Sequence, residues 1–212
     1  MGSVSSPAES RIFLENIRWP TYLALLADLG DHRGRITYDK GRLEILALSK
    51  KHEHWKKILG RLIDVFTEEL EIKIQSVSST TLNREDLNQG AEADECYYVM
   101  NEPLVRGKEE VDLERDPPPD LAVEIEASRR ILNRVAIYAA MGIPEVWRYD
   151  GKTLRVGQLQ ENGQYLDAPE SRVFPTLPMS EVARFLAMRE SVDETELVRS
   201  FRSWVRSHFK LS

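Results

Sequence analysis

Cysteine occurs once in 212 residues, at Cys96. A lone thiol excludes an intrachain disulfide framework and a cysteine-rich zinc cluster, and it suits a reducing compartment, so a cytoplasmic protein is expected. No run approaches the roughly 20 apolar residues a membrane helix needs, and the start of the chain has neither the basic nor the apolar segment of a secretory signal. No membrane association is expected. Positive charge is not in excess: 29 Lys and Arg against 35 Asp and Glu leave a net −6, with a pI near 5.4. Net charge therefore does not hold this chain on a polyanion, and any nucleic-acid contact has to come from a local basic patch. Internal repeats and low-complexity tracts are missing as well.

What is present is the composition of a folded domain, 42% hydrophobic and 30% charged, at a length that fits one domain with extensions. Residues 1–18 read as a flexible tail. Pro20 followed by Tyr22, Leu25, Leu26 and Leu29 predicts a helix over 20–29, ended by Gly30. Over 35–48 the pattern becomes a hairpin around Asp39-Lys40-Gly41, whose second strand carries Glu44. Trp55, Ile58, Leu59, Leu62, Ile63, Phe66 and Leu70 keep a helical period over 52–70. Strands are expected over 72–77 and 95–100. Leu121, Val123 and Ile125 alternate in a central-strand pattern, and helical spacing returns over 131–141 until Gly142 and Pro144 stop it. A hairpin at 145–149 and 154–159 and amphipathic stretches over 179–209 complete the chain. Strand, helix, strand with flanking hairpins predicts an α/β fold, a mixed sheet flanked by helices, with a C-terminal helical extension over 176–212.

Carboxylates collect on the predicted strands. Glu92 and Asp94 precede one strand, Glu44 lies on another, and Asp120, Glu124 and Glu126 share a face of a third by two-residue spacing. Acids crowded on a buried strand repel one another unless a cation compensates, and Mg²⁺ or Mn²⁺ takes oxygen ligands of this kind. A solvent-facing side of a sheet would carry the same carboxylates without any metal.

Three segments then resemble the signature of the Uma-type restriction endonucleases: PDLAVEIE at 119–126, NRVAIY at 133–138 and GIPEVW at 142–147. The hairpin around Glu44, His52-Glu53 at a helix start, and Glu92-Ala93-Asp94-Glu95-Cys96-Tyr97 agree in order. The resemblance implies a restriction-endonuclease-like domain of the PD-(D/E)XK kind over 19–175. It also implies a Mg²⁺- or Mn²⁺-dependent endonuclease hydrolysing phosphodiester bonds of DNA, or of RNA through the same site, and by analogy a homodimer. Position by position it makes Asp94 and Glu124 the metal carboxylates, with Asp120 beside them, and Glu44 an additional upstream acid. Two positions after Glu124, where such nucleases carry lysine, stands Glu126; the lysine transferred to the following helix matches Arg134. Arginine stays charged, so Arg134 can counter phosphate charge but cannot act as a base, which leaves Glu124 or Glu126 to accept a proton. The rival expectation is a degenerate nuclease fold that binds nucleic acid or protein without catalysis.

Other residues carry weaker chemistry. His52 and His54 fit a polar helix start as well as a metal or proton-transfer group. Cys96 reads as a buried thiol, and Tyr138 and Trp147 as packing aromatics. Lys50, Lys51, Lys56, Lys57 and Arg61 on the long helix, and Arg129, Arg130 and Arg134 after the acidic strand, are the basic residues that could track a phosphate backbone.

Overall fold

The computed structural model describes residues 11–30, 34–47, 49–77, 81–126 and 130–209. The architecture is mixed α/β, and the expected single sheet is divided into two. One is antiparallel, in the order β1 (Arg11–Leu14), β3 (Arg42–Ala47), β2 (Gly34–Asp39), β6 (Gln89–Glu92), β5 (Thr81–Arg84). The other runs β11 (Tyr165–Ala168), β10 (Leu154–Leu159), β9 (Glu145–Tyr149), β8 (Leu121–Ile125), β7 (Glu95–Tyr98), β4 (Gln75–Ser76). It is mixed because β8 and β9 pair in parallel.

That parallel pair requires a crossover, and α4 (Arg134–Ala140) supplies it. β8 is buried on both faces, as a central strand covered by helices must be. Leu121, Val123 and Ile125 join the main core with Trp55, Ile58, Leu62 and Phe66 of α2 (Lys50–Glu69). Ala122 faces the opposite way, into a second cluster with Cys96, Ile137, Tyr138 and Ile143. Glu124 alternates with Val123 and so projects on that second side.

Several boundaries differ from expectation for local reasons. Part of the expected tail, Arg11–Leu14, pairs with β3 as β1, while residues 1–10 lie outside the described residues. The helix expected from 131 begins at Arg134, because the Asn133 side chain accepts the Ala136 N–H and fixes the start there. Residues 81–92 form an additional hairpin, β5 with β6. The first helix, α1 (Trp19–Leu29), and a short α3 (Glu102–Val105) complete the amino-terminal two-thirds.

The carboxyl-terminal helices α5 (Met179–Met188) and α6 (Glu194–His208) bury Val182, Phe185, Leu197, Phe201 and Val205 in the main core against α2. Arg202 and Arg206 of α6 also clasp Glu69 of α2. The apolar faces of these two helices are therefore used within the chain. Among the described residues no helix is long and apolar enough to cross a membrane.

Candidate functional site

The site lies where the two sheets meet. Asp94 immediately precedes β7, and its N–H donates to the Val123 carbonyl at 3.1 Å, which sets it beside β8. Its side chain is fully buried. Oδ2 accepts the Ile125 N–H at 2.7 Å, and Oδ1 accepts Arg35 Nε from β2 at 3.1 Å. Glu124, also buried, points to the same region. Its two oxygens receive Arg134 Nη1 at 3.1 and 3.0 Å, the Tyr138 hydroxyl donates to Oε1, and Arg130 Nη2 lies 3.1 Å from Oε2. The same Arg130 nitrogen is 3.9 Å from Asp94 Oδ2. A single cationic nitrogen thus stands within 4 Å of both carboxylates.

Each partner has a local reason for its place. Arg134 opens α4 one residue after the Asn133 cap, and its Nε donates to Thr37 Oγ1 of β2 at 2.8 Å, so it joins the two sheets. Its Nη2 is buried and has no hydrogen-bond partner. Tyr138 follows four residues later on the same helix face. His52 sits in the first turn of α2, where Ser49 is the cap and accepts the His52 N–H at 3.2 Å. The imidazole is buried, with Nε2 3.0 Å from Asp94 Oδ2 but without the alignment of a hydrogen bond, so the contact is carried by charge.

The electrostatics follow from these contacts. Burial opposes ionisation of Asp94, yet His52, Arg134 and Arg130 together outweigh it and hold the carboxyl well below its usual range. Burial lowers His52, and its contacts with Asp94 and Glu53 overcome this and raise it to about 9. Burial likewise disfavours the charged form of Arg134, but Glu124 and Tyr138 reverse the sign and keep it cationic. The Tyr138 hydroxyl is pushed far up, by burial first and by the Glu124 charge second. Cys96 is raised in the same way, which makes it the inert buried thiol expected.

Three other acids of the sequence reading stand apart from this pair. Glu44 on β3 accepts the N–H groups of Ile131 and Leu132 at 3.0 Å and pairs with Arg11 at 3.0 Å, so it anchors the segment that carries Arg130. Asp120 does not point with Glu124. It precedes β8, and Oδ2 accepts the Val99 and Asn101 N–H groups at 2.7 and 2.9 Å, a turn-closing role. Glu126, past the end of β8, is partly exposed and lies 4.0 Å from Arg148. Of the expected basic patches, Lys57 and Arg61 face Glu194 of α6 and Lys56 faces Glu95, while Arg129 lies outside the described residues.

Arg35 was not found by sequence reasoning, and Tyr138 was read as packing only. Arg35 offers no local signal beyond its alternation with Thr37 on one strand face, whereas Tyr138 is marked by its four-residue spacing from Arg134. Among the described residues no group of three or more His, Cys, Asp or Glu gathers as a metal-holding cluster. The anionic side of the site is the pair Asp94 and Glu124.

Comparison with known proteins gives a family model and similar solved structures. The family model Uma2, putative restriction endonuclease, matches residues 19–187. The chain is similar to the crystal structure of a putative nuclease belonging to DUF820 from Anabaena variabilis ATCC 29413, at 15% identity over 77% of this chain and 98% of that one, with a TM-score of 0.49. No curated protein matches the chain.

Proposed function

The chain belongs to the Uma2 family, described as putative restriction endonuclease, and from that premise we propose that it is a metal-dependent endonuclease hydrolysing phosphodiester bonds of DNA at Asp94 and Glu124. The observation that carries the reading is the convergence of two buried carboxylates, one just before β7 and one on β8, on one cationic nitrogen at 3.9 and 3.1 Å. Two oxygen-donor side chains facing a common cation suit Mg²⁺ or Mn²⁺, which commonly binds through one or two carboxylates and completes its shell with water and substrate phosphate. Asp94 and Glu124 would hold the ion, and when bound it would supply Lewis acidity toward the phosphate and a more acidic water.

The remaining roles belong to the chain's own side chains. Arg134 is fixed by Glu124 and Thr37 and keeps one buried nitrogen unpartnered, which gives a donor for a phosphate oxygen. Being always charged, it orients and neutralises rather than abstracts a proton. His52 also carries a proton at neutral pH and steadies the Asp94 carboxylate. Tyr138 fixes the orientation of Glu124 through its hydroxyl.

A second reading has its own observation. Arg35, Arg130 and Arg134 already compensate both carboxylates, which suits a non-catalytic nucleic-acid-binding module of the same fold. Cleavage of supercoiled plasmid and single-stranded DNA, with EDTA, Mg²⁺ or Mn²⁺, separates the two. Metal-dependent nicking that disappears in Asp94→Asn and in Glu124→Gln is the expected result. Folded protein that cuts neither substrate in any condition would overturn the endonuclease in favour of the binding module.

A further inference from the structure

The three arginines of the site are not equivalent. Arg35 reaches only Asp94, and Arg134 is buried, tied to Glu124 and also to Thr37. Arg130 alone touches both carboxylates, and its side chain is the most exposed of the three, at 12%. Its backbone is held nearby, because Glu44 accepts the N–H groups of the two residues that follow. Side-chain movement therefore does not require the segment to unfold.

We infer that Arg130 is a built-in competitor of the divalent cation, its guanidinium standing within 4 Å of both carboxylates that would hold the ion. This rests on the metal-dependent reading above. Asp94 and Glu124 would hold the ion through their oxygens, to which Mg²⁺ binds at about 2.0–2.1 Å, and a guanidinium nitrogen 3.1 Å from Glu124 and 3.9 Å from Asp94 competes for those oxygens. Charge adds to the competition. Arg35 and Arg134 remain beside the two carboxylates after Arg130 leaves, so a third guanidinium weakens the hold on a cation further. Within 4 Å and away from bulk water, one unit charge is a large perturbation. Loading the site therefore means swinging Arg130 out toward solvent, and the residue sets how tightly the pair holds its ion.

The test is Mn²⁺ binding to the full chain, read by the electron paramagnetic resonance signal of free Mn²⁺ at fixed ionic strength, without substrate. Arg130→Gln is expected to bind Mn²⁺ about tenfold or more tighter than wild type, since one adjacent unit charge is removed. Arg130→Lys, which keeps the charge, should stay close to wild type. Arg184→Gln, a half-exposed side chain on α5, controls for net charge and should not change affinity. Adding Asp94→Asn to Arg130→Gln should abolish the gain. If Arg130→Gln binds no tighter than a wild type whose Mn²⁺ binding depends on Asp94, the competitor role is overturned and the metal-dependent reading stands; if the gain survives in the double variant, the ion is not held by Asp94 and both are overturned. Absence of Mn²⁺ binding in both wild type and Arg130→Gln, with melting curves intact, overturns the metal-dependent reading and the competitor role together. Should Arg130→Gln fail to fold, Arg130→Met keeps the aliphatic stem and gives the same readout.

Discussion

Arg35 Nε on β2 lies 3.1 Å from Oδ1 of Asp94, which precedes β7, so one ion pair joins the antiparallel sheet to the mixed sheet. Both side chains are buried. Removing the arginine leaves the buried carboxylate with His52, Arg130 and the Ile125 amide as its near partners. Arg35→Met is therefore expected to lower stability by about 1–3 kcal/mol, through the lost hydrogen bond to a buried carboxylate that keeps its other partners. Urea unfolding followed by far-UV circular dichroism measures it, and a loss below about 0.5 kcal/mol, the size of an ordinary surface substitution, would show that the pair does not hold the sheets together.

Gly90 on β6 gives a steric prediction. A Cβ there would stand 2.1 Å from the Tyr22 hydroxyl and 2.6 Å from Asn83 Oδ1, which are themselves hydrogen-bonded at 2.7 Å. Tyr22 is fully buried and stacks on Tyr38, so it has little room to retreat. Gly90→Ala is expected to destabilise by about 1–3 kcal/mol through overpacking. The double variant Gly90→Ala/Tyr22→Phe should recover part of the loss in thermal melting, since the clashing oxygen is gone.

How far the sequence reached depends on range. The helix α2, the β2–β3 hairpin and β8 were legible because apolar periodicity is a local signal that burial then uses directly. The β5–β6 hairpin was not, since Thr81–Arg84 and Gln89–Glu92 are short and largely polar, with only Leu82 and Ala91 as apolar anchors. At the site, Asp94 and Glu124 were legible through the family-like motifs that carry them. Arg35 was not, because its partner is 59 residues away and nothing around a strand arginine announces a carboxylate in another sheet. Asp120 was misplaced for a related reason: two-residue spacing assigns a face only inside a strand, and Asp120 stands just before β8, where the chain turns to cap residues 99–101.

Arg134→Lys tests what arginine does at this position. The guanidinium spans Glu124 through Nη1 and Thr37 through Nε, and a single ammonium cannot reproduce that fork. A stability loss of about 1–2 kcal/mol is expected from the lost hydrogen bond to Thr37 and the looser pairing with Glu124. Thr37→Val in the wild type should cost a comparable amount but add little in the lysine background, a non-additivity that a double-mutant cycle by urea unfolding detects.

His52 makes stability depend on alkaline pH. Burial lowers its pKa, the contacts with Asp94 and Glu53 more than reverse that, and the folded protein titrates it near 9 against about 6.5 when unfolded. Below about 6.5 both states are protonated and the contribution is present in full. Between about 6.5 and 9 the unfolded chain has lost its proton while the folded chain keeps it, so stability falls by up to about 1.4 kcal/mol per pH unit. Above 9 the contribution is gone. His52→Gln should flatten this slope across pH 7–9 in urea unfolding, while Asp94→Asn, which removes the partner, should flatten it as well. A His52→Gln protein whose stability falls as steeply as the wild type's over that range would mean that another group, and not the imidazole beside Asp94, carries the alkaline loss.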